Sequence, residues 1–158
     1  MQSAIATLAA GCFWGVEETF LNTPGVIKTQ VGYAGGSVND VTYEMVCTGT
    51  TGHAEAVQIT YDPEKVSFED LLKVFFENHD PTTRNRQGPD IGDQYRSVIF
   101  YHTPTQQTEA QKMVSMLDQS GKFKRPIVTQ IVPFTNFFRA EDYHQQYLRK
   151  RGLGSCHV

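Results

Sequence analysis

The sequence predicts an α+β fold in which helices and a mixed β-sheet form a two-layer sandwich. The predicted elements follow in the order strand, helix, strand, strand, helix, strand, helix and strand, and the first six match a ferredoxin-like β-α-β-β-α-β core. The length of 158 residues suits one domain, and neither an internal repeat nor an interdomain linker is visible. We therefore predict a single domain over residues 1–158 with a mobile C-terminal tail at about 152–158.

The first strand and the first helix meet at Cys12. An apolar run over residues 5–10 ends at Gly11, and one helix face then follows, formed by Phe13, Val16 and Phe20. Cys12 therefore lies at the first turn of a helix, where unpaired N–H groups and the positive end of the helix dipole favour a thiolate. The aromatic pair Phe13 and Trp14 could form a wall for an apolar substrate group. Taken alone, however, a cysteine between such residues is more often part of the core.

Two further strands precede the second helix. Residues 27–33 alternate between apolar and polar side chains, and a glycine-containing polar loop extends from residue 34 to residue 53. On the next strand, residues 54–61, Glu55 points to the same face as Val57, Ile59 and Tyr61. If this face is covered, desolvation raises the pKa of Glu55 and keeps the acid protonated near neutral pH; if the strand end frays, Glu55 reaches solvent.

The second half of the chain supplies the remaining elements. A capping box at Ser67 and Asp70 begins a helix that ends near residues 79–81, and the long loop over residues 82–96 is a candidate substrate-facing segment. A strand over residues 97–101, a helix from residue 103 to Gly121 and a strand over residues 127–132 follow. Tyr143, Tyr147 and Leu148 mark a last short helix, on which we interpret His144 as a structural hydrogen-bonding residue.

The composition favours a soluble protein, most simply a cytoplasmic monomer. The formal net charge is −3 and the basic residues are scattered apart from short clusters, so we expect no nucleic-acid or membrane surface. No basic leader and no apolar run of bilayer length is visible. The three cysteines form no CxxC pair and the histidines are dispersed, which argues against a disulfide scaffold and against a metal site. A fixed thiol at Cys12 and a mobile one at Cys156 suit redox turnover, so the residues alone indicate a thiol-dependent enzyme.

Four segments resemble, in order, the signature segments of A-type methionine sulfoxide reductases, the peptide-methionine (S)-S-oxide reductases. They are Gly11-Cys12-Phe13-Trp14-Gly15, Thr51-Gly52-His53-Ala54-Glu55-Ala56-Val57, His79-Asp80-Pro81-Thr82-Thr83 and Gln94-Tyr95-Arg96-Ser97. The resemblance covers nearly the whole chain. It implies a catalytic domain that repairs oxidative damage by reducing the S epimer of methionine sulfoxide, in proteins and as the free amino acid, to methionine.

The resemblance also implies roles for individual residues. Cys12 would attack the sulfoxide sulfur and become a sulfenic acid, which Cys156 would convert to a Cys12–Cys156 disulfide for reduction by thioredoxin or another dithiol. No cofactor other than this external reductant is expected. The substrate-binding and catalytic groups around the sulfoxide would be Phe13 and Trp14 for its methyl group, Glu55, Tyr43 and Tyr95 for its oxygen, and Asp90 for ordering the site.

Three alternatives remain open at this point. A cysteine hydrolase or acyltransferase would use Cys12 with His53 or His144 as its base, and would not need Cys156. A non-catalytic module would bind methionine-containing peptides, and this binding would persist after loss of the Cys12 sulfur. Cys47 could act as a second relay cysteine, but its position just before Gly49 and Gly52 favours a buried residue outside the reaction.

Overall fold

The computed structural model describes residues 3–150 and folds them into eight strands and five α-helices. The strands are β1 (Ala4–Ala10), β2 (Val26–Ala34), β3 (Ala54–Tyr61), β4 (Arg86–Gln87), β5 (Asp90–Ile91), β6 (Ser97–Tyr101), β7 (Gln130–Pro133) and β8 (Phe137–Arg139). The helices are α1 (Phe13–Leu21), α2 (Tyr43–Cys47), α3 (Phe68–Glu77), α4 (Pro104–Ser120) and α5 (Tyr147–Lys150). The predicted tail, which contains Cys156, lies outside the described residues. Within residues 3–150, no helix has the length and apolar character to cross a bilayer.

Six strands form one sheet in the order β7-β6-β1-β3-β2-β8. All neighbouring strands in it are antiparallel except β6 and β7, which are parallel, so the predicted α+β class and mixed sheet are confirmed. In the register, Leu8 pairs with Val57 of β3 and Ala10 pairs with Ser97 of β6. Because these strands are antiparallel, the end of β1 and the beginnings of β3 and β6 lie at one edge of the sheet. The segments next to these three strand ends therefore meet there.

The two faces of this sheet carry side chains of different size. Large apolar residues, including Leu8 and Ile59, pack with α1 and α3 on one face. The other face has alanines on three central strands, covered in part by Phe134 and Phe137. Successive strand residues point to opposite faces, so Glu55 lies on the face of the larger residues, as predicted. That face is covered, since the four side chains of β3 on it, Glu55, Val57, Ile59 and Tyr61, are at most 4% exposed.

Helix α3 confirms the predicted capping box. The Ser67 hydroxyl accepts a hydrogen bond from the Asp70 N–H at 3.0 Å, and the Asp70 carboxylate accepts one from the Ser67 N–H at 3.2 Å. The apolar stripe of this helix is buried; it comprises Phe68, Leu71, Leu72, Phe75 and Phe76. The helix thus covers the face of the sheet that carries Glu55.

Four predicted segments differ from the structure, and one of them is the last short helix around residues 143–148, which is divided into a 3-10 turn (Asp142–His144) and α5. The polar loop over 34–53 contains α2, which the Thr42 side chain caps; five residues are too few to produce a helical periodicity in the sequence. The loop over 82–96 contains the β4–β5 hairpin and a 3-10 turn at Asp93–Tyr95. The strand predicted at 127–132 begins only at Gln130, where backbone pairing with β6 begins.

Candidate active site

Cys12 lies between β1 and α1, as the sequence predicts. Its carbonyl oxygen accepts a hydrogen bond from the Val16 N–H at 3.4 Å, so the residue is the N-cap of α1. Gly11 has a φ of 94°, in the left-handed region that favours glycine, and this conformation turns the chain from strand to helix. The Cys12 side chain is half-buried at the first turn of α1.

Glu55 lies beside the same helix terminus. One carboxyl oxygen accepts a hydrogen bond from the Phe13 backbone N–H at 3.3 Å, and the other accepts one from Gln94 Nε2 at 3.4 Å. Burial raises the pKa of Glu55 to about 7, the two hydrogen bonds act in the opposite direction, and the negative charge of Asp90 raises it further. Glu55 is therefore buried on the covered face, and it is bonded to the residue that follows Cys12.

Two tyrosines predicted for the site also lie near Glu55. Tyr43 begins α2 and shares hydrogen bonds with the Cys47 and Tyr95 side chains. Burial, followed by the charge of Glu55, raises the pKa of Tyr95 to about 12. The pKa of Tyr43 is also raised, first by burial, then by the hydrogen bond to Cys47 and by the charge of Glu55. Both phenols are therefore protonated donors at neutral pH.

The structure places Asp90 on β5, in the hairpin that precedes the 3-10 turn. Its side chain is half-buried, and its charge acts on both Glu55 and Tyr95. The long loop predicted to face the substrate thus contributes Asp90, Gln94 and Tyr95 to this region.

The aromatic pair after Cys12 is divided between the core and the surface. Phe13 is 1% exposed, and its ring centroid lies 5.8 Å from that of Tyr33 and 5.2 Å from that of His144. Trp14 is half-buried and stacks on Tyr147 with a centroid distance of 3.8 Å and an interplanar angle of 27°. Trp14 is therefore the member of the pair that presents a surface to solvent.

His144 fixes the indole of Trp14. The Trp14 Nε1–H donates a hydrogen bond to His144 Nδ1 at 2.9 Å, which confirms the structural interpretation of this histidine. The other ring nitrogen, Nε2, is buried and has no hydrogen-bond partner within residues 3–150. Burial lowers the pKa of His144, which keeps the ring neutral and its Nδ1 available as an acceptor.

Sequence reasoning missed Gln94 as a member of the site. Its side chain is 5% exposed, and its Nε2 lies within hydrogen-bonding distance of both Glu55 and the Cys47 sulfur, at 3.3 Å from the latter. Membership of the segment Gln94-Tyr95-Arg96-Ser97 was the one available signal. No periodic pattern distinguishes Gln94, because it lies in a three-residue turn.

The expectation that Cys47 is buried is wrong. Cys47 is exposed at the end of α2, where Val46 is the buried residue, and it shares contacts with Tyr43 and Gln94. The thiol therefore lies at the border of the site. Cys156, the predicted resolving cysteine, lies outside the described residues.

Two histidines of the signature segments have structural hydrogen bonds. His53 Nδ1 accepts from the Gly36 N–H at 3.0 Å, and its Nε2 lies 2.6 Å from the Val38 carbonyl oxygen. The ring of His79 connects the Phe75 carbonyl to the Ser97 hydroxyl. With both ring nitrogens engaged, His53 is a poor base for Cys12. In the part of the chain from residue 3 to residue 150, no group of three or more His, Cys, Asp or Glu side chains is arranged to hold a metal ion.

The site combines a thiol at a helix start, a buried carboxyl with a raised pKa and an adjoining aromatic surface. These groups suit a thiol-dependent enzyme. The family described as peptide methionine sulfoxide reductase matches residues 4–158. The chain belongs to this family, and its relatives place it among the A-type enzymes, MsrA. It is therefore an oxidoreductase that acts on methionine sulfoxide. This membership decides against the hydrolase and the non-catalytic module.

The similarity extends over almost the complete chain. MsrA of Methanoculleus marisnigri is 64% identical over 151 residues, which cover 96% of this chain and 92% of that protein. The structure of methionine sulfoxide reductase A of Corynebacterium diphtheriae has a TM-score of 0.92 at 40% identity, covering 98% of this chain and 77% of that one. The structure of Mxr1 from Saccharomyces cerevisiae in complex with Trx2 has a TM-score of 0.67 at 28% identity, covering 99% and 89%.

Proposed function

We propose that the chain reduces the S epimer of methionine sulfoxide by direct attack of the Cys12 sulfur on the sulfoxide sulfur. The sulfur–oxygen bond of the substrate breaks, its sulfur gains two electrons, and methionine leaves. The Cys12 sulfur loses two electrons and keeps the oxygen as a sulfenic acid. The observation that carries this proposal is the hydrogen bond from Phe13 N–H to Glu55, which holds a carboxyl with a pKa of about 7 next to Cys12.

Glu55 would protonate the sulfoxide oxygen during this attack. An ionised Glu55 would oppose a thiolate at Cys12 by charge repulsion, whereas a protonated Glu55 can donate its proton as the sulfur is attacked. A carboxyl that is about half protonated near pH 7 can both give up and regain this proton. Tyr43 and Tyr95 would add neutral donors to the oxygen, and the charge of Asp90 would favour the protonated form of Glu55.

The methyl group of the substrate would pack against the aromatic pair after Cys12. The half-buried Trp14 offers the reachable surface, and the buried Phe13 supports the site from the core. Tyr147 and His144 keep the indole in place by stacking and by a hydrogen bond.

Recycling would use Cys156. Its thiol would attack the Cys12 sulfenic acid, release water and form a Cys12–Cys156 disulfide, which a thioredoxin would then reduce. A relative, yeast Mxr1, has been solved in complex with Trx2, and this supports thioredoxin as the class of reductant.

Three expectations stay predictions: that the protein is a monomer, that it is a single catalytic domain with a mobile tail, and that it is located in the cytoplasm. We also interpret the strand order β6-β1-β3-β2 as a ferredoxin-like unit, which the order of its elements supports.

A single-turnover experiment tests this proposal. Reduced protein is freed of reductant and mixed with each epimer of methionine sulfoxide, as the amino acid and within a peptide. Methionine is then counted per enzyme, and peptide mapping by mass spectrometry locates the new disulfide. We expect about one equivalent of methionine from the S epimer alone, with Cys12 linked to Cys156.

Four variants separate the steps. Glu55→Gln should slow sulfenic acid formation by roughly 10²- to 10⁴-fold, whereas the exposed Glu64→Gln should not. Cys156→Ser should stop at the sulfenic acid, and Cys47→Ser should behave like the parent. A parental rate in Glu55→Gln would exclude Glu55 as the proton donor. A Cys12–Cys47 link would retain the reduction but overturn the role of Cys156.

A further inference from the structure

The side-chain amide of Gln94 contacts the Glu55 carboxyl, but the proposed reduction of the sulfoxide assigns it no role. Gln94 lies in the 3-10 turn before β6 and is 5% exposed, and its side-chain amide reaches across to β3 and α2. There its Nε2 is 3.4 Å from Glu55 Oε2 and 3.3 Å from Cys47 Sγ. Since Glu55 Oε1 is held by the Phe13 N–H, each oxygen of this carboxyl has one donor from a different part of the chain.

We propose that Gln94 is a positioning residue: its side-chain amide fixes the Glu55 carboxyl beside Cys12 and tunes how readily that carboxyl releases its proton. This inference rests on the proposed role of Glu55 where it concerns catalysis, but the effect on the carboxyl itself can be measured without turnover.

A neutral amide suits a carboxyl that changes its protonation state in each cycle. The Nε2 group of Gln94 donates to an ionised Glu55, and after rotation about the last side-chain bond its carbonyl oxygen can accept from the protonated acid. A cation at this position would keep Glu55 ionised, whereas an apolar side chain would leave the carboxylate with one donor fewer. An amide can therefore form a hydrogen bond with both the ionised and the protonated Glu55, and it does not fix the carboxyl in either state.

The charges around Glu55 make the contribution of Gln94 measurable. Groups that interact with the carboxyl come from several elements: Asp90 of β5, Tyr33 of β2, Tyr43 of α2 and Tyr95 of the 3-10 turn. The Cys47 thiol lies on the other side of the Gln94 amide, and Cys12 precedes the residue whose N–H binds Glu55. Burial raises the pKa of each of the three tyrosines, so they stay neutral below pH 9. Asp90 acts against ionisation of Glu55, and Gln94 together with the Phe13 N–H acts in favour of it.

The experiment measures the Glu55 carboxyl directly. Protein labelled with ¹³C at the glutamate carboxyl carbon is titrated between pH 5 and pH 9 under reducing conditions, and the Glu55 signal is assigned by its absence in Glu55→Gln. Gln94→Met, which keeps the length of the side chain but removes the donor, should raise the pKa of Glu55 by about half to one pH unit. The basic limb of the maximal single-turnover rate should move upward by the same amount, while the substrate concentration that gives half of this rate stays unchanged.

Two further variants keep the test interpretable. Gln94→Glu preserves the shape of the side chain and replaces a donor with an acceptor, so it should raise the pKa of Glu55 more than Gln94→Met does. Gln58→Met is the matched control, because Gln58 lies on the opposite face of β3 and its amide also makes a hydrogen bond of 3.4 Å, to Thr7. It should leave both the Glu55 signal and the rate profile unchanged.

The outcomes separate this inference from the proposed mechanism. An unchanged Glu55 titration in folded Gln94→Met and Gln94→Glu would overturn it. The same displacement in Gln58→Met would also overturn it, because the effect would then not belong to Gln94. A displaced titration with an unchanged rate profile would support the action of Gln94 on Glu55 and would exclude Glu55 as the proton donor.

Discussion

The buried Glu55 makes the stability of the fold depend on pH in a way that one substitution removes. The pKa of this carboxyl is about 7 in the folded protein, compared with 4.5 for the unperturbed group. The folded state therefore binds a proton that the unfolded chain has lost between these two values, and stability falls as the pH rises through this range. The stabilisation of the folded state by protonated Glu55 is fully present below about pH 4.5 and is lost above pH 7. Glu55→Gln is neutral in both states and lacks this dependence.

The size of the effect follows from the distance between the two pKa values. Each pH unit between them corresponds to about 1.4 kcal/mol, so ionisation of Glu55 costs the folded state about 3 kcal/mol. Glu55 is 1% exposed, so solvent screening does little to reduce this cost. Relative to the parent, Glu55→Gln should therefore gain about 3 kcal/mol in unfolding free energy between pH 4.5 and pH 9.

Equilibrium unfolding in urea at five pH values over this range measures the difference. Trp14, the one tryptophan of the chain, reports unfolding by fluorescence, and a thiol reductant keeps the cysteines reduced. Taking the difference between variant and parent removes the titration of all other groups, including the buried Glu17. Glu64→Gln, at an exposed position, serves as the control for the loss of one carboxylate from the surface. A difference for Glu55→Gln that stays constant to within about 0.5 kcal/mol from pH 4.5 to pH 9 would refute a strongly raised pKa.

Three further substitutions test the packing around the site. Ser67→Ala removes the N-cap of α3 and should lower the unfolding free energy by about 1 kcal/mol in urea denaturation; an unchanged midpoint would contradict the capping assignment. His144→Leu deprives the Trp14 indole of its acceptor and should cost about 1–3 kcal/mol, whereas His144→Asn, which retains an acceptor, should cost less; equal losses would count against this hydrogen bond. Gly32→Ala would place a Cβ against the Phe138 carbonyl oxygen and should lower the unfolding free energy by about 1–3 kcal/mol. Amide hydrogen exchange should become faster in β8 but not in β3, and an equal change in both strands would show that no local strain was introduced.

The parts of the site that the sequence predicted depend on local patterns. The end of an apolar run at Gly11 and the helix face beginning at Phe13 were sufficient to place Cys12 at a helix start. Strand alternation was sufficient to place Glu55 on the face of the larger residues, because each step along a strand reverses the direction of the side chain. The resemblance to a known family then supplied the reaction, which spacing alone does not specify.

Other features required the three-dimensional arrangement. The hydrogen bond between Gln94 and Glu55 joins residues 39 positions apart, and that between Trp14 and His144 joins residues 130 positions apart. Neither pair leaves a periodic trace. Gln94 meets Glu55 because antiparallel pairing with β1 brings the beginnings of β3 and β6 to one edge, whereas His144 follows β8, which is brought back to the sheet by pairing with β2. The exposure of Cys47 was equally hidden, since a helix of five residues is too short for its buried face to be visible as a pattern.

The sequence by itself placed a thiol at the start of a helix and a carboxyl on the strand face that carries the larger residues. The tertiary structure decided that the two groups lie close together and that the Gln94 amide forms hydrogen bonds with both Glu55 and the thiol of Cys47. The physical reason is that helix and strand periodicity are properties of neighbouring residues, whereas the degree of desolvation and the donors around a carboxyl depend on which distant segments pack against it.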